Sequence, residues 1–302
     1  MFHVSRMTIQ SLLHVLGPEI EDPEEEAFLL FSQSIPSQNL GFVNSKASTL
    51  ELTIGDRDLN IHQSPTILSS NRGGGTTGAV VWKITPLFAS WITTSTNPFL
   101  KHDILDSNST VLELGCGISG IIGLTLGPHV ASYVLTDQDY VMKLLNQNLA
   151  ENCRDMSTST SKGRKSNAKP KRGSTSVNVS QNTSNTTAKP LDWETDEVTA
   201  SLLGSGSFDA VIACDCIYND ALIQPLVQTC IDACQLRLSD TAKEKECPTV
   251  CIVAQQLRSA EVFEAWLKAF FKAFKVWRLP DEELIDGLKS DSGFVVHIGI
   301  LR

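Results

Sequence analysis

In the run VLELGCGISG, from Val111 to Gly120, apolar residues lead straight into Gly115, Cys116 and Gly117, with Gly120 three positions on. Glycines so placed let the backbone bend sharply and approach a ligand that a Cβ would hold off. The pattern G-x-G-x-x-G marks a dinucleotide-binding turn, and it fits equally the glycine turn that holds S-adenosylmethionine. Asp137, ending the next apolar run, is placed to accept hydrogen bonds from two ribose hydroxyls, a role that suits both ligands. Glu113 discriminates between them. A carboxylate two residues before the turn is unfavourable beside a pyrophosphate, whereas S-adenosylmethionine has no phosphate and carries an ammonium and a sulfonium.

The second constellation is ACDCIYND, Ala213 to Asp220. An apolar strand ends at Asp215 and Tyr218 follows three residues later. In an open parallel sheet the ligand crevice lies beyond the carboxyl ends of the strands, so both residues point toward the glycine turn. A carboxylate and a phenol can hold an amine and orient its lone pair for methyl transfer. The same spacing also suits an Asp that caps the following helix beside a packed Tyr. His62, His102, His129 and His297 have no partner spacing and read as surface or satisfied histidines. Cys230, Cys234, Cys247 and Cys251 do not follow a zinc-knuckle pattern, and the eight cysteines read as neutral thiols of a reducing compartment, with no metal expected.

These residues need elements to position them. From Thr110 onward, strand patterns (TVLELG, SYVLTD, KPLDW, FDAVIACD, TVCIVAQQ) alternate with helical ones (SGIIGLTLG, QDYVMKLLNQNLAENC, ALIQPLVQTCIDACQLRL, SAEVFEAWLKAFFKAF). FKVWRLP and GFVVHIGIL then close the chain as two strands joined by a loop. Near-continuous apolar strands between helices predict an α/β fold with a mostly parallel sheet covered on both faces, the last strand antiparallel. Residues 1–72 read as an N-terminal extension with a β-hairpin around Gly55-Asp56, joined through the glycine-rich hinge SSNRGGGTTGAV to the main domain, residues 73–302. The Ser/Thr/Asn-rich stretch at about 155–189 reads as a disordered insertion.

The 302 residues carry no apolar run long enough to span a bilayer, and the start lacks the h-region of a secretory signal. A cytoplasmic protein is expected, with a nuclear location open through the basic cluster Lys162–Arg172. Between Arg154 and Pro190 eight basic residues face one acid, so the rest of the chain carries −16 rather than the overall −9. Such a body attracts a basic protein better than it attracts nucleic acid.

The blocks GGTTGAVVWKITPLFASWI, VLELGCGISGIIGLTLG, YVLTDQDYVMKLLNQNLAEN, LDWE, VIACDCIYNDALIQPLV and LRSAEVFEAWL, in this order, resemble those of the seven-β-strand S-adenosylmethionine-dependent protein-lysine methyltransferases marked by D-x-x-Y. Within that group the chain is most similar to the fungal ribosomal lysine N-methyltransferase 5 family. The resemblance implies a class I, Rossmann-like fold with a seven-stranded sheet. It implies cofactor contacts at Trp82, Gly115, Cys116, Gly117, Asp137, Trp193 and Cys214, and a lysine-handling role for Asp215 and Tyr218. Ordinary core packing is the alternative for the two tryptophans. The substrate it implies is a large-subunit ribosomal protein, met by a monomer without membrane or direct nucleic-acid contact. A lysine of a translation factor or chaperone, a nicotinamide oxidoreductase and a non-catalytic adaptor are the competing functions.

Overall fold

Apolar runs bounded by glycine, proline and charged turns become the elements of the computed structural model, which describes residues 2–37, 39–73, 75–158, 185–204, 206–240 and 247–302. Helices α1 (Phe2–Leu16) and α2 (Pro23–Phe31) precede a hairpin of β1 (Thr49–Ile54) and β2 (Arg57–His62). The helices α3 (Pro65–Leu68), α4 (Ile84–Ile92) and α5 (Pro98–Lys101) lead to β3 (Thr110–Leu114). There follow α6 (Ile121–Leu126), β4 (Ser132–Asp137), α7 (Asp139–Thr158), β5 (Thr186–Pro190), α8 (Ala200–Leu203) and β6 (Ala210–Cys214). The chain ends with α9 (Ile223–Ser239), β7 (Val250–Gln256), α10 (Ala260–Ala273), β8 (Phe274–Arg278) and β9 (Phe294–Leu301).

Among the described residues, seven strands form one sheet in the order β5-β4-β3-β6-β7-β9-β8, with β9 antiparallel to both its neighbours and β3 to β7 mutually parallel. This is the predicted α/β architecture. Side chains alternate between two core layers, as period-2 strands require. Val111, Ala210, Ile212 and Ile252 face α4, α6 and α7 on one side. Leu112, Val211, Ala213 and Val253 face α2, α9 and α10 on the other. The chain moves outward from β3 to β4 and β5, then returns to β6 beside β3. That reversal opens a crevice at the carboxyl ends of β3 and β6. No helix among the described residues is long and apolar enough to cross a membrane.

The N-terminal portion is built into this core. Leu12 and Leu16 of α1 and Leu50, Ile54, Leu59 and Ile61 of the hairpin belong to the same apolar layer as α4 and α6. Strand β2 has an edge that no third strand covers, and two asparagines of α7 take the place of one. Asn152 Oδ1 accepts from Asn60 N–H at 2.8 Å and its amide donates to Asn60 O at 3.0 Å. Asn148 repeats the exchange with His62, at 2.9 Å in both directions. Paired in this way, the outward backbone groups of Asn60 and His62 are not left open to another chain.

Several boundaries differ from those predicted. The acidic stretch EDPEEE, for which no element was expected, starts α2: Asp22 caps it by accepting from Glu24 N–H at 2.8 Å, and Pro23 opens the first turn. The strand predicted at KPLDW is instead β5, Thr186–Pro190, because β4 supplies backbone partners from Tyr133 to Asp137. Asp192 lies past its end, in a turn where Oδ1 accepts from Glu194 N–H at 3.1 Å. At its other end the predicted insertion overlaps α7, which runs to Thr158; residues 159–184, the basic cluster among them, lie outside the described residues.

Candidate active site

The nine residues singled out from the sequence, Trp82, Gly115, Cys116, Gly117, Asp137, Trp193, Cys214, Asp215 and Tyr218, all line one cavity at the carboxyl ends of β3, β4 and β6. The glycine turn leaves β3 with Gly115 at φ 70°. A Cβ there would lie 2.7 Å from Cys216 Sγ and 3.1 Å from the Trp193 ring, so only glycine fits. Gly120 serves packing instead, away from the cavity, since a Cβ on it would meet Leu145 of α7 at 2.8 Å. Asp137, at the end of β4, accepts from Gly117 N–H at 2.8 Å and Gln138 N–H at 2.7 Å. Burial pushes its carboxyl up to about 6, against the pull of those two hydrogen bonds and with help from nearby Asp192. The segment read as a hinge is a wall of the same cavity: Gly75, Thr77 and Gly78 line it, and Gly78 O accepts from Ile118 N–H at 2.9 Å.

Glu113 corrects the expectation made for it. Its side chain points from the sheet into the α4–α6–α7 layer and does not line the cavity. Tyr133 OH donates to its Oε2 at 2.7 Å, and burial raises the carboxyl to about 8. It is uncharged at neutral pH and gives a sulfonium no Coulomb attraction. The period-2 rule explains this: Glu113 shares the inward parity of Val111, whereas the cavity begins only where the strand ends.

Across the crevice, Asp215 adopts φ 61°, a left-handed conformation rarely taken by residues other than glycine. Strain of this kind persists where surrounding contacts hold it. Here Asp215 N–H donates to Ala254 O at 2.7 Å, and the carboxylate takes two hydrogen bonds from Arg258, at 2.6 and 2.7 Å. Tyr218 is two-fifths exposed at the cavity mouth and its hydroxyl accepts from Thr77 Oγ1 at 2.9 Å. Desolvation raises its pKa, so the phenol stays neutral at pH 7. The Trp82 indole N–H donates to Thr77 O at 3.0 Å, and its ring lies 4.5 Å from that of Phe42, centroid to centroid. Phe42 and Leu40, from the N-terminal portion, complete the rim. Sequence reasoning missed these two residues, Thr77 and Arg258 because their roles come from contacts distant in sequence.

The lysine methyltransferase family model matches residues 61–163 and 171–262, a span that includes the glycine turn and D-C-I-Y. The chain belongs to the lysine methyltransferase family. A ribosomal lysine N-methyltransferase 5 of Vanderwaltozyma polyspora is 28% identical over 96% of this methyltransferase and 100% of its own length. One of Zygosaccharomyces rouxii is 31% identical over 70% and 69% of the two chains. A diaminohydroxyphosphoribosylamino-pyrimidine deaminase of Schizosaccharomyces pombe is 29% identical over 88% of the methyltransferase, which spans about half, 55%, of that protein. The H-x-E and P-C-x-x-C signature of zinc deaminases occurs nowhere in the 302 residues.

The methyl donor of this lysine methyltransferase is S-adenosylmethionine, and the cavity fits it. Gly75, Gly78, Gly115 and Gly117 line the cavity with bare backbone, which a ligand can approach with no side chain between. The Trp193 indole N–H is buried without an acceptor among the described residues, and a bound ligand can supply one. Each Asp137 oxygen retains a lone pair for a ribose hydroxyl beyond the backbone bond it already accepts.

Proposed function

We propose that this methyltransferase acts in the cytoplasm, as a monomer, on a lysine ε-amine of a large-subunit ribosomal protein. The observation that carries the chemical part is the meeting of Asp215 and Tyr218 with Gly115, Asp137 and Trp193 around one cavity. The names of the yeast relatives and the −16 charge outside residues 154–190 support a basic ribosomal partner. In this reading Gly115, Cys116 and Gly117 cradle the donor, Asp137 holds its ribose, and Trp82, Trp193 and Cys214 contact the rest. Bound there, S-adenosylmethionine supplies a methyl carbon activated by its sulfonium. An uncharged amine displaces that sulfur in line, the C–S electron pair leaves with it, and the methylated ammonium then loses a proton to water. Asp215 and the free lone pair of Tyr218 accept the amine N–H groups, which leaves the nitrogen lone pair directed at the carbon.

Incubation with tritiated S-adenosylmethionine and ribosomal proteins from a strain lacking the gene tests this. A labelled large-subunit protein is expected. Asp215→Ala should lower labelling about 100-fold while S-adenosylhomocysteine affinity stays within about threefold. A labelled translation factor or chaperone instead would remove the ribosomal assignment, and no labelled protein at all would remove the catalytic one.

A further inference from the structure

Arg258 has no part in the chemistry described so far, yet its guanidinium covers the carboxylate assigned to the substrate. The Asp215 side chain is 3% exposed and both its oxygens are bound, Oδ1 by Nη1 at 2.6 Å and Oδ2 by Nη2 at 2.7 Å. A bidentate pair of this kind is among the stronger and more directional ion pairs. The guanidinium is itself held on two further sides. Its Cζ lies 5.0 Å from the centroid of the Trp82 ring. Gly41 passes over it at φ 88°, and a Cβ there would collide with Gln256 Oε1 and stand 2.7 Å from Arg258 Nη2. Pinned from three directions, Arg258 is fixed in place.

The remaining ionisable groups lining the cavity leave its charge without another counterweight. The thiols of Cys116, Cys214 and Cys216 and the phenols of Tyr140 and Tyr218 are all raised by burial and neutral at pH 7. Asp137 and Asp192 stand on the glycine-turn side. Among the described residues Arg258 is the one cationic side chain in the lining.

We propose that Arg258 is a positioning residue that cancels the charge of Asp215, so that the crevice accepts the lysine amine uncharged rather than as an ammonium. An isolated carboxylate would hold the ε-ammonium and raise its pKa, which opposes methyl transfer. Paired with Arg258, Asp215 still accepts a hydrogen bond from the amine but offers no net charge. The ammonium gives its proton to solvent on entry. This rests on the lysine-handling role proposed above for Asp215 and explains how a buried acid serves a reaction that needs a neutral nucleophile.

Two measurements on Arg258→Met and Arg258→Lys test it. The first needs no substrate. Sinefungin, which carries an amine where the donor carries its methyl-sulfonium, is titrated alongside S-adenosylhomocysteine. Arg258→Met unmasks Asp215 and should improve sinefungin affinity relative to S-adenosylhomocysteine about tenfold, whereas Arg258→Lys should leave the ratio as in the wild type. An unchanged ratio in Arg258→Met overturns the proposal. The second uses the protein that the wild-type enzyme labels, purified unmethylated. The rising limb of kcat against pH should move up by about one pH unit in Arg258→Met, with KM no higher, and return in Arg258→Lys. A uniform loss of kcat at every pH, with no shift, marks a merely structural arginine and also overturns it. Should the wild type label nothing, the catalytic reading fails while the sinefungin ratio still decides whether Arg258 cancels Asp215.

Discussion

Glu113 and Gly115 stand two residues apart and show opposite uses of burial. Glu113 is held neutral because its carboxyl, ordinarily near 4.5, is raised to about 8. The folded state therefore binds a proton that the unfolded chain releases. Its contribution to stability is complete below pH 4.5 and declines as pH rises toward 8. Asp137 declines in the same direction but only up to about 6, so of these two acids Glu113 is the one that declines across the interval from pH 6 to 8. Urea unfolding should lose about 2 kcal/mol over that interval through this group, and Glu113→Gln, which keeps an acceptor for Tyr133 OH, should abolish that share. At Gly115 the backbone and the space both demand glycine. Gly115→Ala should cost about 1–2 kcal/mol in thermal unfolding and weaken S-adenosylhomocysteine at least about tenfold by titration calorimetry, because Cys216 and Trp193 must move.

Helix α7 serves two neighbours at once. Its apolar stripe packs under the sheet, while Asn148 and Asn152 close the edge of β2. Asn148 is fully buried and also donates to Ile118 O at 2.7 Å, which ties the hairpin to the end of the glycine turn. Asn148→Leu leaves His62 N–H and O and Ile118 O unpaired, and should destabilise the fold by about 3 kcal/mol in urea. Asn146→Ala, on the exposed side of the same helix, should change it by less than about 0.5 kcal/mol. The helix itself was legible from Val141, Leu144, Leu145 and Leu149 at helical spacing. The role of its asparagines was not, since nothing local says that a strand edge lies opposite.

Across the whole molecule, the N-terminal portion and the rest share one core and one cavity. Glu26 of α2 is held by the buried His297 of β9 at 3.1 Å and by Arg278 at 3.4 Å. Burial alone would raise the Glu26 carboxyl, but these two partners outweigh it and hold the group below its ordinary range. A chain beginning at residue 73 loses this contact, the hairpin and the Leu40–Phe42 rim together. It should show no cooperative thermal transition and no S-adenosylhomocysteine binding, whereas the full chain shows both.

From the order of residues alone follow the alternation of strands and helices, the parallel sheet with its antiparallel last strand, and the two turns that meet at the crevice. Local physics suffices for these: period-2 and helical spacing fix which faces are apolar, and the topological rule places strand ends together. The charge states needed the folded molecule. Glu113 and Asp215 are both acids at the ends of apolar strands, yet Glu113 is buried within the sheet layer beside Tyr133, where desolvation holds it neutral, and Asp215 is met at the crevice by the guanidinium of Arg258. Position along a strand tells where a carboxylate starts; which partner reaches it from 20 or 43 residues away is settled by packing alone.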